Sequence, residues 1–183
     1  SFDDDYLLAD ANRDRHRHAT VDVSTEAGAT SVVRLAREAF GTVDIIVLNA
    51  ARHSAQSVAS LTADELDLTY RTNLLGAAFA LREFATALPA GGAVVVVGST
   101  ATKSVQKNEF AYRSSKFGLR ALTESAAVEF AHADVRVNMV TPGAIQTGFA
   151  KYGPGVLERL TDETPLGRTA TPEEVATCIA FVA

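Results

Sequence analysis

The chain has 183 residues, 47% of them hydrophobic, which fits one globular domain with a sizeable core and disfavours two independent domains. Its formal net charge of −5 is spread along the sequence, which argues against a nucleic-acid groove or a surface for anionic membranes. No apolar stretch approaches the ~20 residues of a membrane span, no basic start of a signal peptide is present, and one cysteine cannot form an internal disulfide, so we expect a cytoplasmic protein.

Short apolar runs rich in β-branched residues alternate with longer segments of helical periodicity. In chain order the runs are Tyr6–Ala9, Ala19–Val23, Asp44–Leu48, Ala93–Val97 and Val135–Val140. This alternation is typical of a parallel sheet covered by helices. The sequence therefore predicts an α/β fold, with 1–183 as a single domain.

Helix starts and apolar faces mark the segments between these runs. Thr62 to Glu65 has the pattern of a capping box, and Thr171 to Glu174 adds a proline at the first helical position. These signals predict helices from about 63 to 88 and from 172 onward, and a further long helix is predicted from about 111 to 131. The predicted core positions on two apolar helix faces are Val32, Val33, Ala36, Phe40, Leu119, Leu122, Ala126 and Phe130.

Residues able to contact a ligand follow or close each apolar run. They are Asp10, Asp22 with Val23, Asn49 to Ala51, Gly98 with Ser99, and Thr141 to Gly143. Ligands of open parallel sheets bind outside the carboxyl ends of the strands. Each position alone is an ordinary turn residue, but the five together indicate a binding site at this edge.

Tyr112 and Lys116 supply the parts of an alcohol/carbonyl redox site. They are one turn apart on a predicted helix, so the ammonium group lies on the same face as the phenol. A phenol has a pKa near ~10, and lowering it by about three units takes roughly 4 kcal/mol of preferential phenolate stabilisation, which a nearby cation can provide. Ser99 can hydrogen-bond the substrate oxygen, which leaves Tyr112 as the acid/base. Tyr-x-x-x-Lys also occurs often by chance.

In order and spacing, these motifs resemble the short-chain dehydrogenase/reductase family from about Tyr6 to Ala183. The resemblance implies a Rossmann-type doubly wound parallel sheet with helices on both faces. It also implies hydride transfer between a nicotinamide cofactor and a small-molecule secondary alcohol or ketone. Within it Asn73 joins Ser99, Tyr112 and Lys116 as a catalytic tetrad, with Asn73 supporting a water in a proton relay and Lys116 also holding the nicotinamide ribose.

The same resemblance implies a set of cofactor-binding residues. Asp22 and Val23 match the pair that contacts adenine, and Asp10 stands where the family reads the adenosine ribose, which favours NAD over NADP. Nearby arginines leave NADP possible. The remaining implied contacts are Asn49, Ala50, Ala51, Tyr112, Lys116, Pro142, Gly143, Ile145 and Thr147. No cluster of His or Cys suggests a metal.

Parts of the family pattern are absent at both ends of the sequence. No Gly-x-x-x-Gly-x-Gly loop is present, 10–22 is too short for a crossover helix with its strand, and the sequence stops inside a predicted helix. The fold is therefore predicted to lack its first βα unit and its last strand. Either the sequence belongs to a longer protein or the protein has lost dinucleotide binding, and we expect the first because the tetrad is complete.

Two other functions fit the same residues. One is a 3-ketoacyl-thioester (acyl carrier protein) reductase that uses NADPH, and the other is a non-catalytic dinucleotide-sensing or scaffold homologue. The long helices at 63–88 and 111–131 carry more apolar and small residues than one sheet face needs. We therefore expect a homo-oligomer, a tetramer or a dimer.

Overall fold

The sheet of the molecule has three parallel strands among the residues described by the computed structural model, which are 16–85, 87–145, 147–149 and 155–183. In spatial order the strands are β1 (Ile45–Leu48), β2 (Ala93–Val97) and β3 (Arg136–Val140). β2 pairs with both of its neighbours in parallel. The three corresponding predictions from sequence are confirmed to within one residue.

The predicted strand Ala19–Val23 is wrong, because this segment is irregular and then turns into the first helix. The carboxylate of Asp22 accepts hydrogen bonds from the backbone N–H of Ser24 (3.0 Å) and from its hydroxyl (2.7 Å). The Asp22 carbonyl also accepts from the N–H of Thr25 at 3.3 Å. These local bonds bend the backbone, whereas the hydrogen bonds of a β-sheet would need it extended here. The predicted run Tyr6–Ala9 lies outside the described residues.

Six α-helices are present in the described ranges, joined by shorter helical turns. They are α1 (Glu26–Phe40), α2 (Ala63–Tyr70), α3 (Gly76–Phe84), α4 (Phe110–Phe130), α5 (Val156–Asp162) and α6 (Pro172–Val182). A π-helical turn, Arg71–Leu75, joins α2 to α3, so the helix predicted from 63 to 88 is continuous but ends earlier. Thr62 and Thr171 both accept from the third residue of their helices, but the full capping box forms only at Thr171, since the N–H of Thr62 donates to Gln56 instead of Glu65. None of these helices could cross a membrane.

Helices pack on both faces of the sheet. Ile46, Val94 and Val96 point to one face, where they form a core with α1, α3 and α4. On the opposite face the side chain of Asn138 donates to the carbonyl of Val182 in α6 at 3.2 Å. Val94, Val95 and Val96 are fully buried. This two-sided arrangement is the doubly wound architecture predicted above.

Gly76, at the start of α3, lets the helix rest directly on the backbone of Val23. A Cβ at Gly76 would lie 2.4 Å from the Val23 carbonyl oxygen. We expect Gly76→Ala to lower the free energy of unfolding by about 2 kcal/mol, because a backbone atom must move, although alanine ordinarily favours a helix. Urea denaturation measures this loss.

Gly118 in α4 provides the matched control for this substitution. A Cβ there would meet only the side-chain end of Leu74, at 2.9 Å, which can shift. Gly118→Ala is therefore expected to be nearly neutral or mildly stabilising. Equal effects of the two substitutions would contradict the close helix-to-loop contact at Gly76.

Candidate active site

Tyr112 and Lys116 lie side by side on α4, where the helix crosses the carboxyl end of β2. Their residues are buried, with 8% and 2% of their surfaces exposed. The Lys116 Nζ lies 5.9 Å from the centre of the Tyr112 ring and donates a hydrogen bond to the carbonyl of Val97 at 2.9 Å. The lysine is thus anchored to the strand end, with its ammonium group on the tyrosine side of the helix.

Ser99 begins the turn that follows β2. Its hydroxyl oxygen accepts the backbone N–H of Ala101 at 3.1 Å and so caps the 3-10 turn Thr100–Thr102. The guanidinium of Arg113, the residue after Tyr112, donates to the carbonyl of Ala101 at 2.7 Å. This bond ties the serine turn to α4. Within the described ranges the Ser99 hydroxyl donates no hydrogen bond, so its proton remains available to another acceptor.

Asn73 occupies the middle of the π-helical turn and is 1% exposed. Its Oδ1 accepts the N–H of Arg52 at 2.7 Å, and its Nδ2 donates to the carbonyl of Arg52 and to the hydroxyl of Ser115, both at 3.0 Å. Ser115 in turn donates to the carbonyl of Tyr112 at 2.7 Å. The amide therefore clamps the loop after β1 onto the helix turn that carries Tyr112.

Burial changes the acid–base behaviour of Lys116. Loss of hydration lowers the pKa of its ammonium group from the ordinary 10.5 to about 8. Near neutral pH the side chain is still mainly a cation, which is the form that stabilises a phenolate. Above pH 8 the charged fraction of Lys116 falls, so in the protein without ligand its stabilisation of a phenolate weakens.

The lowered pKa of Lys116 predicts a pH-dependent stability. Between about pH 8 and 10.5 the folded state has released this proton while the unfolded state still binds it, so the free energy of unfolding rises with pH. The expected gain from this group is about 3 kcal/mol. Lys116→Met should remove the rise, as measured by urea denaturation across this pH range, whereas Lys103→Met at an exposed lysine should keep it. A wild-type slope retained in Lys116→Met would exclude Lys116 as its source.

An aromatic cluster around Tyr112 was not identified from the sequence. The centre of the His53 ring lies 4.9 Å from that of Tyr112, and the Phe149 ring lies 6.4 Å from His53 and 6.3 Å from Tyr112. His53 Nε2 lies 3.4 Å from a carboxylate oxygen of Glu109, the residue that precedes α4. His53 belongs to none of the motifs described above, and the distant Glu109 gave no signal in the sequence.

The loops after the strands place most of the remaining predicted cofactor contacts at the same edge of the sheet. Asn49, Ala50 and Ala51 follow β1 directly, the first two exposed and the third half-buried. Beyond β3, the carbonyl of Pro142 accepts the N–H of Thr100 at 2.9 Å, which joins this loop to the serine turn.

Further along the loop after β3, Gly143 is exposed and Ile145 is half-buried and bridges to Ala170. The Thr147 hydroxyl accepts the N–H of Phe149 at 3.3 Å. This bond sets the backbone that presents the Phe149 ring to Tyr112.

Asp22 and Val23 lie in the turn before α1. Hydrogen bonds from the hydroxyl and the N–H of Ser24 lower the pKa of the Asp22 carboxyl. Both bonds go to Oδ1, and the side chain is exposed, so Oδ2 is open to solvent. Asp10, the predicted ribose contact, lies outside the described residues. Among the residues that the structure describes, no cluster of His, Cys, Asp or Glu could hold a metal ion.

Comparison with known proteins identifies the family. Residues 7–183 match the family model described as "Enoyl-(Acyl carrier protein) reductase". The chain belongs to the short-chain dehydrogenase/reductase family. Its similarity to trans-4-hydroxycyclohexanecarboxylate dehydrogenase of Sinomonas cyclohexanicum is 32% identity over 164 residues, covering 89% of this chain and 62% of that protein. For cis-4-hydroxycyclohexanecarboxylate dehydrogenase of the same organism it is 36% over 170 residues, covering 88% and 67%.

Solved structures of short-chain dehydrogenases/reductases share the fold. The enzyme from Serratia marcescens superposes with a TM-score of 0.85 at 28% identity, over 90% of this chain and 67% of that one. A short-chain dehydrogenase from Burkholderia cenocepacia, in complex with NADP, gives 0.85 at 27% identity, over 89% and 67%. The chain thus has the Rossmann-type family fold and spans about two thirds of the length of these relatives.

Proposed function

We propose that this short-chain dehydrogenase/reductase transfers a hydride between a nicotinamide cofactor and a small secondary alcohol or its ketone, with Tyr112 as the acid/base. The observation that carries the proposal is the position of Lys116. A buried ammonium group anchored at the end of β2 faces the ring of a buried tyrosine. The continuous core from α1 to β3 further supports 1–183 as one domain.

The unused hydrogens of Lys116 fit a bound nicotinamide ribose. Of the three ammonium hydrogens, one is donated to Val97, and no other acceptor for them lies in the described part of the chain. Buried donors need acceptors, and ribose hydroxyls supply them. Pro142, Gly143, Ile145 and Thr147 would line the nicotinamide side, while Asp22 and Val23 would hold adenine. Asn49, Ala50 and Ala51 would lie between the two.

In the proposed reaction Tyr112, Ser99 and Lys116 each have one role in moving or stabilising the proton of the substrate hydroxyl. The cofactor, when bound, accepts or supplies the hydride. During alcohol oxidation Tyr112, as phenolate, takes the hydroxyl proton, and in ketone reduction the phenol returns it. Ser99 donates a hydrogen bond to the substrate oxygen. Lys116, as a cation, stabilises the phenolate.

Asn73 would act by position in this mechanism. Its amide holds the loop at Arg52 and the helix turn at Ser115, so three of its hydrogen-bonding positions are occupied. A relay water would therefore be supported by the geometry that Asn73 maintains around Tyr112.

We propose NAD or NADP as the cofactor. A structural neighbour is in complex with NADP, and the preference for NAD rested on Asp10 alone.

An activity screen of the full-length protein tests the proposed function. Cyclic and linear secondary alcohols, and the matching ketones, are offered with NAD(H) and NADP(H), and nicotinamide absorbance is followed. Turnover of a secondary alcohol or ketone supports the proposal. Cofactor binding without turnover of any member would instead support the non-catalytic dinucleotide-sensing alternative.

A thioester reductase is the second candidate. The matching family model is described as an enoyl-(acyl carrier protein) reductase, which supports a thioester of this carrier as substrate without identifying the ketone as the reduced group. The screen therefore includes a 3-ketoacyl thioester with NADPH. A kcat/KM for the thioester about 100-fold above that of every simple ketone would favour this candidate over the first.

The exposed helix surfaces support a homo-oligomer, a dimer or a tetramer. Leu68 on α2, and Phe117 and Val128 on α4, have 47%, 41% and 79% of their surfaces exposed. Pairing of these helices between subunits would bury such side chains. Light scattering of the full-length protein is expected to show a mass at least twice that of one subunit. A monomer at working concentration would contradict this proposal.

A further inference from the structure

His53 is held beside Tyr112 by two independent contacts. Its ring lies 4.9 Å from the Tyr112 ring, and its Nε2 lies 3.4 Å from the Glu109 carboxylate. The side chains of His53 and Glu109 are each only 16% exposed. A histidine fixed in this way has little rotational freedom, so its second ring nitrogen has a defined direction.

The pairing with Glu109 determines which nitrogen carries the proton. A carboxylate can only accept, so Nε2 carries the hydrogen and Nδ1 of the neutral ring is an acceptor. In the described ranges His53 Nδ1 has no hydrogen-bond partner. It is also not one of the fully buried side-chain nitrogen and oxygen atoms that lack a partner there. It is therefore an acceptor that an incoming molecule can reach.

The location of this acceptor points to the substrate. The imidazole lies against the phenol that would exchange a proton with the reacting oxygen, with 58° between the ring planes. The centre of the apolar Phe149 ring lies 6.4 Å from that of His53 and 6.3 Å from that of Tyr112. A substrate at Tyr112 would thus place its next carbon atoms beside His53. The negative charge of Glu109 disfavours a carboxylate there and favours a neutral hydrogen-bond donor.

We propose that His53, positioned by Glu109, is a specificity-determining residue that accepts a hydrogen bond from a second hydroxyl next to the reacting carbon. The favoured substrate class is a vicinal diol or the corresponding hydroxyketone. This inference rests on the proposed function, because it places the substrate at Tyr112. The alternative is that His53 only packs against Tyr112 and supports its orientation.

The two roles differ in how substitution affects a pair of matched substrates. His53→Phe keeps a ring against Tyr112 and removes the acceptor. With cis-1,2-cyclohexanediol it is expected to lower kcat/KM about 10- to 100-fold, while cyclohexanol changes by less than about 3-fold. His132→Phe, at an exposed histidine on the turn after α4, is the matched control and should change neither value. Glu109→Ala should reduce the diol preference in part.

Equal losses for both alcohols in His53→Phe, or no loss for either, would overturn the specificity role. A wild-type protein that does not prefer the diol would also overturn it. Failure of the proposed mechanism is recognised separately, because Tyr112→Phe would then retain turnover. In that case the ratio of kcat/KM for the diol to kcat/KM for cyclohexanol can still be measured in His53→Phe.

A second readout applies if the wild-type protein turns over neither alcohol. The ¹⁵N resonance of His53 Nδ1 is recorded with NAD present, before and after addition of each alcohol. A shift with the diol that is absent with cyclohexanol supports the proposal. Identical spectra with the two alcohols overturn it.

Discussion

Replacing Tyr112 with phenylalanine is expected to lower kcat about 10³-fold while leaving cofactor affinity within a few fold. The phenol is the only group proposed to exchange a proton with the substrate oxygen, and positioned acid/base groups typically contribute factors of this size. The aromatic contacts with His53 and Phe149 need only the ring, so the fold is retained. Steady-state kinetics and nicotinamide fluorescence titration measure the two effects.

Tyr70→Phe is the matched control, since it removes a hydroxyl from a half-buried tyrosine at the end of α2. We expect its kcat to stay within about 2-fold of the wild-type value. Unchanged turnover in Tyr112→Phe would show that another group moves the proton. A parallel loss of cofactor affinity would instead indicate that the phenol serves binding.

Asn73→Ala is expected to lower the free energy of unfolding by about 3 kcal/mol. The substitution leaves the N–H and the carbonyl of Arg52 and the hydroxyl of Ser115 without their partner at a buried position. Unsatisfied buried groups cost about 1–3 kcal/mol each, and relaxation recovers a part. Urea denaturation measures the loss, and kcat should fall because the loop and the Tyr112 turn separate.

Asn138→Ala is the control for this prediction. The Asn138 side chain makes one hydrogen bond, at 3.2 Å to Val182 in a partly buried position. Its removal should cost no more than about 1 kcal/mol. If the two substitutions had equal effects, the clamp at Asn73 would not be a special feature of the site.

The strands and helices that depend on hydrophobic periodicity were predictable from the sequence. The first four residues of β2 are buried and Val97 is half-buried, so the unbroken valine run indicated the bounds of the strand correctly. The run Ala19–Val23 is also rich in β-branched residues, but its Asp22 forms local hydrogen bonds with Ser24 that compete with a sheet ladder. Such competition depends on the neighbours available in three dimensions, which periodicity does not report.

Within the site, the sequence predicted which residues share one edge but not how they are held. The spacing of Tyr112 and Lys116 on a helix was sufficient to place them side by side. The clamp from Asn73 to Arg52 joins residues on separate elements, and the pair His53–Glu109 spans a still longer stretch of chain. No local pattern encodes such contacts, and only the folded chain reveals them.

A crystal structure of the full-length protein with bound NAD(P) would show directly whether these side chains meet the cofactor. We expect the nicotinamide ring against the Tyr112 phenol and the Ser99 hydroxyl, with its ribose hydroxyls accepting from Lys116. A nicotinamide bound away from Tyr112, or a Lys116 that keeps Val97 as its only partner, would contradict this expectation.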